Sequence, residues 1–227
     1  MLTDAQIERY SRQIILPQIG GRGQERLLAA SVAVVGTDRL AAVAAHYLAA
    51  AGVGVVCTDA SIVATLAGVN PDCRLQPLPA DMDRHGADAL MRAHDARLDA
   101  SGQRAVSALL NAASVTLRKP LIWARVHGGA GELAIFAGHQ SDTACFECLQ
   151  ERAPTSHDEV LSETTAVFIG AAQATEAMKA MLGLDTHLTG RLMLYDACAA
   201  TVRDTAVSKN PRCACCSSAA RTRGVAR

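Results

Sequence analysis

The sequence predicts an α/β chain: a mostly parallel sheet with helices on both faces, completed by C-terminal antiparallel strands that a four-cysteine metal site clamps. Three observations carry this. From Ser31 to Val126, apolar strand-like runs alternate with stretches of helical periodicity, the pattern of parallel strands buried on both faces. After "HGGAGE" that alternation gives way to strand-like runs placed to pair with their neighbours. Two C-x-x-C pairs, beginning at Cys145 and Cys213, lie in this second part. The 227 residues suffice for one substantial core. Half of them are hydrophobic but only 3% are aromatic, so that core is built from Ala, Val and Leu, which suits close packing of helix on sheet.

Taken in order, Thr3 with Gln6 forms a capping-box pattern that predicts a first helix over Asp4 to about Ser11. "QIILPQIGGRG" reads as an extended segment leading to a Gly-rich turn, with a short helix over Gln24–Leu28. "SVAVVG" is a first strand. Leu40, Val43, Ala44, Tyr47, Leu48 and Ala51 recur at helical spacing and mark the buried face of the next helix. Gly52 ends it, and "VGVVCTD" is a second strand. A short helix at Ile62–Ala67, a strand at Arg74–Pro77, a helix at Gly86–His94 and the strand-like "RLDAS" continue the alternation. A long helix at Gln103–Leu117 precedes the strand "LIWARV", which "LAIFAG" can join across a Gly-rich turn. A helix at Thr164–Leu182 and the antiparallel pair "RLMLYDA" and "TVRDTAVS" complete a single domain over 1–216. Within it, 1–30 form a helical arm, 31–126 the α/β core and 127–216 the antiparallel part. Residues 217–227 read as a disordered tail.

Basic and acidic residues balance at 22 each, so neither nucleic acid nor a membrane surface is an expected partner. No apolar run reaches the ~18–20 residues of a membrane span, and "MLTDAQIERY" lacks a signal pattern. The expected location is cytoplasmic, where cysteines bind metal or pack rather than form disulfides. Each C-x-x-C places two thiolates on one tight turn. Cys145, Cys148, Cys213 and Cys216 together supply the four sulfurs of a closed, structural zinc site, with Cys215 open as an alternative to Cys216. Such binding is worth ~10–16 kcal/mol in small zinc modules.

"ERYSRQIIL" ahead of a Gly-Gln-Glu turn, a nucleotide-type strand–turn–helix, "GELAIF", the first knuckle, "MLYDA" and "NPRCACC" stand here in the order found in MoeB, ThiF and HesA proteins. The chain resembles that family, the bacterial relatives of the ubiquitin-activating enzymes, from about Gln6 to Cys216. The resemblance implies a Rossmann-like fold and a dimer. It also implies adenylation of the C-terminal glycine of a ubiquitin-like sulfur carrier with ATP and magnesium. Carried over residue by residue, Arg12 matches the arginine that family dimers insert into the partner's ATP site, Gly36 the first glycine of the phosphate turn, and Asp59 the ribose-binding acid.

The departures bear on activity. Where the family turn reads G-x-G-G-x-G, Asp38, Arg39 and Ala41 replace the last three glycines, which elsewhere let backbone amides approach phosphate. Asp38 adds repulsion of ~4 kcal/mol for unit charges at 4 Å and an effective dielectric of about 20. Arg39 offsets part of it. The basic segment that follows the ribose-binding acid in the family is missing here. In "LDASGQR" Gly102 replaces the magnesium-binding aspartate, while Asp99 matches a residue inside the strand. The crossover loop holds His157 and Asp158 but no nucleophilic cysteine. The leading expectation is therefore a catalytically degenerate member, with zinc as its cofactor and ATP and magnesium doubtful. It would act as a scaffold or dimer partner, homodimeric or paired with an active paralogue. One alternative is an active adenylyltransferase of a sulfur carrier in which Arg39, Arg125 or Lys119 replaces the missing cations. A second is a Rossmann-like module for another small ligand.

Overall fold

The computed structural model describes residues 1–79, 82–149 and 162–217. An arm of α1 (Asp4–Arg9), α2 (Ser11–Ile14) and α3 (Gly20–Ala29) leads into β1 (Ser31–Val35), α4 (Arg39–Ala50), β2 (Val55–Thr58), α5 (Ala60–Thr65) and β3 (Arg74–Pro77). The core continues through α6 (Arg84–Ala93), β4 (Ala96–Asp99), α7 (Arg104–Leu117) and β5 (Leu121–His127). The second part comprises β6 (Ala130–Phe136), a 3-10 turn at Phe146–Cys148, α8 (Ser162–Leu182), β7 (Arg191–Asp196) and β8 (Thr201–Ala206). The strands form one sheet in the order β3-β2-β1-β4-β5-β6-β7-β8. The first five run parallel, and β6 to β8 join as antiparallel neighbours. Parallel sheet and antiparallel extension are thus continuous, joined at the β5–β6 hairpin.

Val32, Val34 and Leu98 pack under α4 and α8 on one face, and Ala33 and Val35 pack under α6 and α7 on the other. Small side chains allow this closeness. At Gly170 of α8, a Cβ would lie 2.8 Å from the Leu40 carbonyl oxygen of α4. The buried stripe of α4 is Leu40, Ala41, Ala44, Ala45, Leu48 and Ala49. It is therefore rotated from the expected face, and Tyr47 stands half exposed at 49%. Gly170 meets α4 at Leu40 and Val43.

The arm differs most from expectation. The capping box of Thr3 and Gln6 is present, but the segment read as extended is helical at Gln13 and Ile14, and α3 begins at Gly20 rather than Gln24. Glycines disfavour a helix interior, yet here they occupy its first turn, where Gly23 lies against Ile19 and Leu182. Ser217, the first residue of the expected tail, is buried and its N–H donates to the Cys213 carbonyl. His157, Asp158 and the rest of the tail lie outside the described residues.

A cleft at the strand ends and a cysteine cluster

A cleft of about 290 Å³ opens where β1, β2 and β4 end, lined in part by Gly36, Thr37, Asp59, Leu78, Met82 and Ser101. Gly36 has φ +150°, and a Cβ there would lie 2.5 Å from the Ala100 carbonyl oxygen. Only glycine lets the chain turn this tightly against the end of β4. Asp38 is the N-cap of α4, and its carboxylate accepts from the Ala41 N–H at 3.2 Å. The chain's own anion thus takes one of the amides that a helix N-terminus would offer to phosphate. Arg39 turns away, its Nε 2.9 Å from Glu163 Oε2 at the start of α8. Asp59 caps α5, and its Oδ1 accepts from the Ser61 Oγ at 2.5 Å and N–H at 2.9 Å. These bonds hold its carboxyl below the usual range. Among the described residues, Asp59 is the one charged side chain lining the cleft. The structure therefore brings Gly36 and Asp59 together and leaves Arg39 outside.

Asp99 ends β4 in full burial. Burial pushes its carboxyl up, against hydrogen bonds from Ser101 N–H at 3.0 Å and Ser107 Oγ at 2.5 Å. It serves the strand end. Gly102, which the sequence sets against the family's metal-binding aspartate, has φ +63°. Gly102 also borders a smaller cavity of about 50 Å³ with Arg104, Ser107, Trp123, Arg125 and Glu132. Arg125 Nη2 pairs with Glu132 Oε2 at 2.6 Å. Of the three proposed substitute cations, Arg125 alone reaches this end of the sheet beside a cavity. Lys119 precedes β5 and stands at the opposite end.

Arg12 is exposed on α2 and forms no ion pair with the described residues. Its neighbours fix its location. Gln13 Nε2 donates to the Ala51 carbonyl at 3.3 Å, and the Tyr10 hydroxyl donates to Asp72 Oδ2 at 2.9 Å. Asn70 Nδ2 donates to the Tyr10 hydroxyl at 2.9 Å and to the Ala49 carbonyl at 2.8 Å. These contacts dock the arm at the C-terminal end of α4, across the sheet's length from Gly36. Arg12 is thus remote from the cleft of its own chain.

The Sγ atoms of Cys145, Cys148, Cys213 and Cys216 are buried and lie within 4.8 Å of one another. Cys145–Cys148, Cys145–Cys213 and Cys148–Cys216 separations are 3.9, 3.7 and 3.5 Å. A tetrahedron with metal–sulfur bonds of 2.3 Å has edges of about 3.8 Å, so this donor set could hold such an ion. Burial and the neighbouring thiols push the Cys216 thiol well up, a cost that a cation would reverse. Cys215 lies outside the four and its Sγ accepts from Asn111 Nδ2 at 3.2 Å. Asn111 Oδ1 also accepts the Phe146 N–H at 2.9 Å, so one buried side chain of α7 holds both knuckles. Lys209 Nζ donates to the carbonyls of Gly138, Gln140 and Thr143 at 3.1, 2.6 and 3.2 Å, cinching the loop before the first knuckle. Sequence reasoning missed both residues. A lone Asn within the apolar run "ALLNAA" was the available signal for the first; Lys209 had none.

The ThiF family model matches residues 10–57 and 60–215. A sulfur carrier protein adenylyltransferase of Thermus thermophilus is 34% identical, covering 94% of this chain and 92% of that protein. A SAMP-activating enzyme E1 of Haloferax volcanii is 32% identical over 95% of this chain and 90% of its own length. The chain spans about half of an adenylyltransferase and sulfurtransferase of Drosophila willistoni, at 34% identity. The Thermus alignment runs over 249 positions against 227 residues here, so that relative carries segments this chain lacks. Solved structures of E. coli MccB with ATP (TM-score 0.75, 14% identity, 92% of this chain and 73% of that one) and of PaaA (0.71, 16%, 92% and 76%) share the fold. Matched along nearly its whole length by the family model and by these relatives, the chain belongs to the ThiF family.

Proposed function

We propose that this chain takes part in the ATP-dependent adenylylation of the C-terminal carboxylate of a small sulfur-carrier protein, with its cleft as the nucleotide site. The observation that carries the reading is the placement of Gly36 and Asp59 on one cleft at the strand ends, in a chain like named adenylyltransferases over nearly its full length. In this reading Asp59 accepts the ribose hydroxyls and Gly36 lets backbone approach the phosphates. Arg125 offsets charge as the carrier's carboxylate oxygen attacks the α-phosphorus and pyrophosphate leaves. The chain forms a dimer in which Arg12 of each protomer enters the other's cleft. The cysteine cluster holds zinc, which joins the antiparallel strands to α7 and takes no part in the chemistry, since four thiolates leave no open position.

The test is exchange of labelled pyrophosphate into ATP by the purified chain with a carrier ending in Gly-Gly. Exchange that depends on carrier and is lost in Asp59→Ala supports the reading; its absence at any ATP concentration overturns it. A second reading is favoured by Asp38, whose carboxylate occupies an α4 amide in a cleft lined by no described cation. Here the chain is the non-catalytic half of a pair and lends Arg12 to an intact paralogue. Exchange would then appear only with that paralogue added, and Arg12→Ala in this chain would reduce it.

A further inference from the structure

At the end of the sheet opposite the cleft, β4 buries an arginine that forms no ion pair among the described residues, although the Asp95 carboxylate is near enough to act on its charge. Arg97 is 3% exposed. Its Nη1 donates to the Asp95 carbonyl at 3.1 Å, which turns the guanidinium toward the N-terminal end of the strand. Its Nε and Nη2 are buried without a hydrogen-bond partner among the described residues. Those two donors form one edge of the guanidinium, the edge that matches a pair of oxygens. His94 Nδ1, three residues earlier, is buried and also has no partner among the described residues. Arginine does not shed its proton, so burial cannot neutralise it as it would a lysine. A guanidinium left buried with two idle donors is costly unless something meets them.

The neighbourhood is basic. Because β4 pairs with β5, the turn from α6 into β4 lies beside the turn from α7 into β5. The first carries Arg92 and His94, the second Arg118 and Lys119. None of these forms an ion pair among the described residues. The nearby acid, Asp95, is committed to Ser31, accepting from its N–H at 2.9 Å and its hydroxyl at 3.0 Å. Burial and the Arg97 charge hold His94 below its ordinary value, with the Asp95 charge pulling the other way.

We propose that Arg97 and His94 form a binding site for a small oxyanion at the N-terminal end of β4, separate from the cleft, with the oxyanion seated on the Nε–Nη2 edge. Arg92, Arg118 and Lys119, on the flanking turns, raise its local concentration. The proposal is independent of the adenylylation reading, since none of these residues borders the cleft.

Thermal melts at fixed ionic strength test it, with sodium chloride exchanged stepwise for sodium phosphate or sodium acetate up to 20 mM. The wild-type melting temperature is expected to rise with at least one of the two, and the anion that acts identifies the oxyanion class. In Arg97→Met the rise disappears. In Arg97→Lys, which keeps the charge but loses the two-donor edge, the anion concentration needed rises at least tenfold. A wild-type response to neither anion overturns the proposal. An undiminished response in Arg97→Met or Arg97→Lys overturns it equally. If neither variant folds, a selenate soak of wild-type crystals decides: an anomalous peak beside Nε and Nη2 supports the site, and its absence removes it.

Discussion

Asp38 occupies one amide at the N-terminus of α4, beside the cleft. Replacing it with glycine frees the Ala41 amide and removes a repulsion of up to ~4 kcal/mol. Asp38→Gly is expected to tighten magnesium–ATP binding at least tenfold in a calorimetric titration. The change in helix capping costs only a few tenths of a kcal/mol, so a urea melt should barely move. Gly36 behaves in the opposite way. Its φ of +150° and the Ala100 oxygen 2.5 Å from a built Cβ leave no room for relaxation, and Gly36→Ala should cost about 2 kcal/mol or more, read as a lower urea midpoint. At the cluster, Cys215→Ser should retain one equivalent of bound metal, whereas Cys216→Ser should lose it on desalting. The four thiols were legible because two C-x-x-C turns have few other uses. The choice between Cys215 and Cys216 was not, because adjacent residues differ only in where α7 places Asn111, and spacing carries no such information.

The arm is held by Asp72. Burial raises its carboxyl, but hydrogen bonds from Tyr10, Gln6 and Arg9 and the Arg9 charge outweigh this, so the net value lies below the ordinary one. A lowered folded value means that the stabilisation is complete above the unfolded pKa of about 3.9 and is lost as pH falls through the folded value. Asp72→Asn should therefore cost about 1 kcal/mol at neutral pH, and its melting curve should converge on wild type as pH falls below the folded value. Proteolysis within 1–19 would report the same loosening. This element was the least legible. "QIILPQIGGRG" offers β-branched residues, a proline and three glycines, each a local vote against helix. They are overruled because Gly23 fits between Ile19 and Leu182, a contact spanning most of the chain. The strands of the core, by contrast, were read almost residue by residue, since apolar runs bounded by glycine or proline leave little choice of boundary.

The molecule as a whole separates its two ends. The cleft lies at one end of the parallel strands, while Arg12, the docked arm and Arg97 lie toward the other. A chain acting on its own cleft thus has no use for Arg12, and mixing experiments follow. An Arg12→Ala protein combined with an Asp59→Ala protein should recover part of the wild-type exchange activity if protomers trade arginines, since half of the mixed pairs' clefts are intact. The parallel-to-antiparallel design was legible from the change in pattern after "HGGAGE". The cleft was legible only as departures from the family's pattern, because a sequence shows which groups differ and not where the remaining ones point. Arg39, turned to Glu163, is the example. Lys209 completes the picture in a different way. Its ammonium group, ringed by three carbonyl oxygens, is a cation bonded covalently to the chain, which no chelator can extract. Stripping the thiolate site should consequently loosen the segment after Pro211 while leaving residues 138–143 protected from hydrogen exchange, so that the two knuckles come apart in sequence and not together.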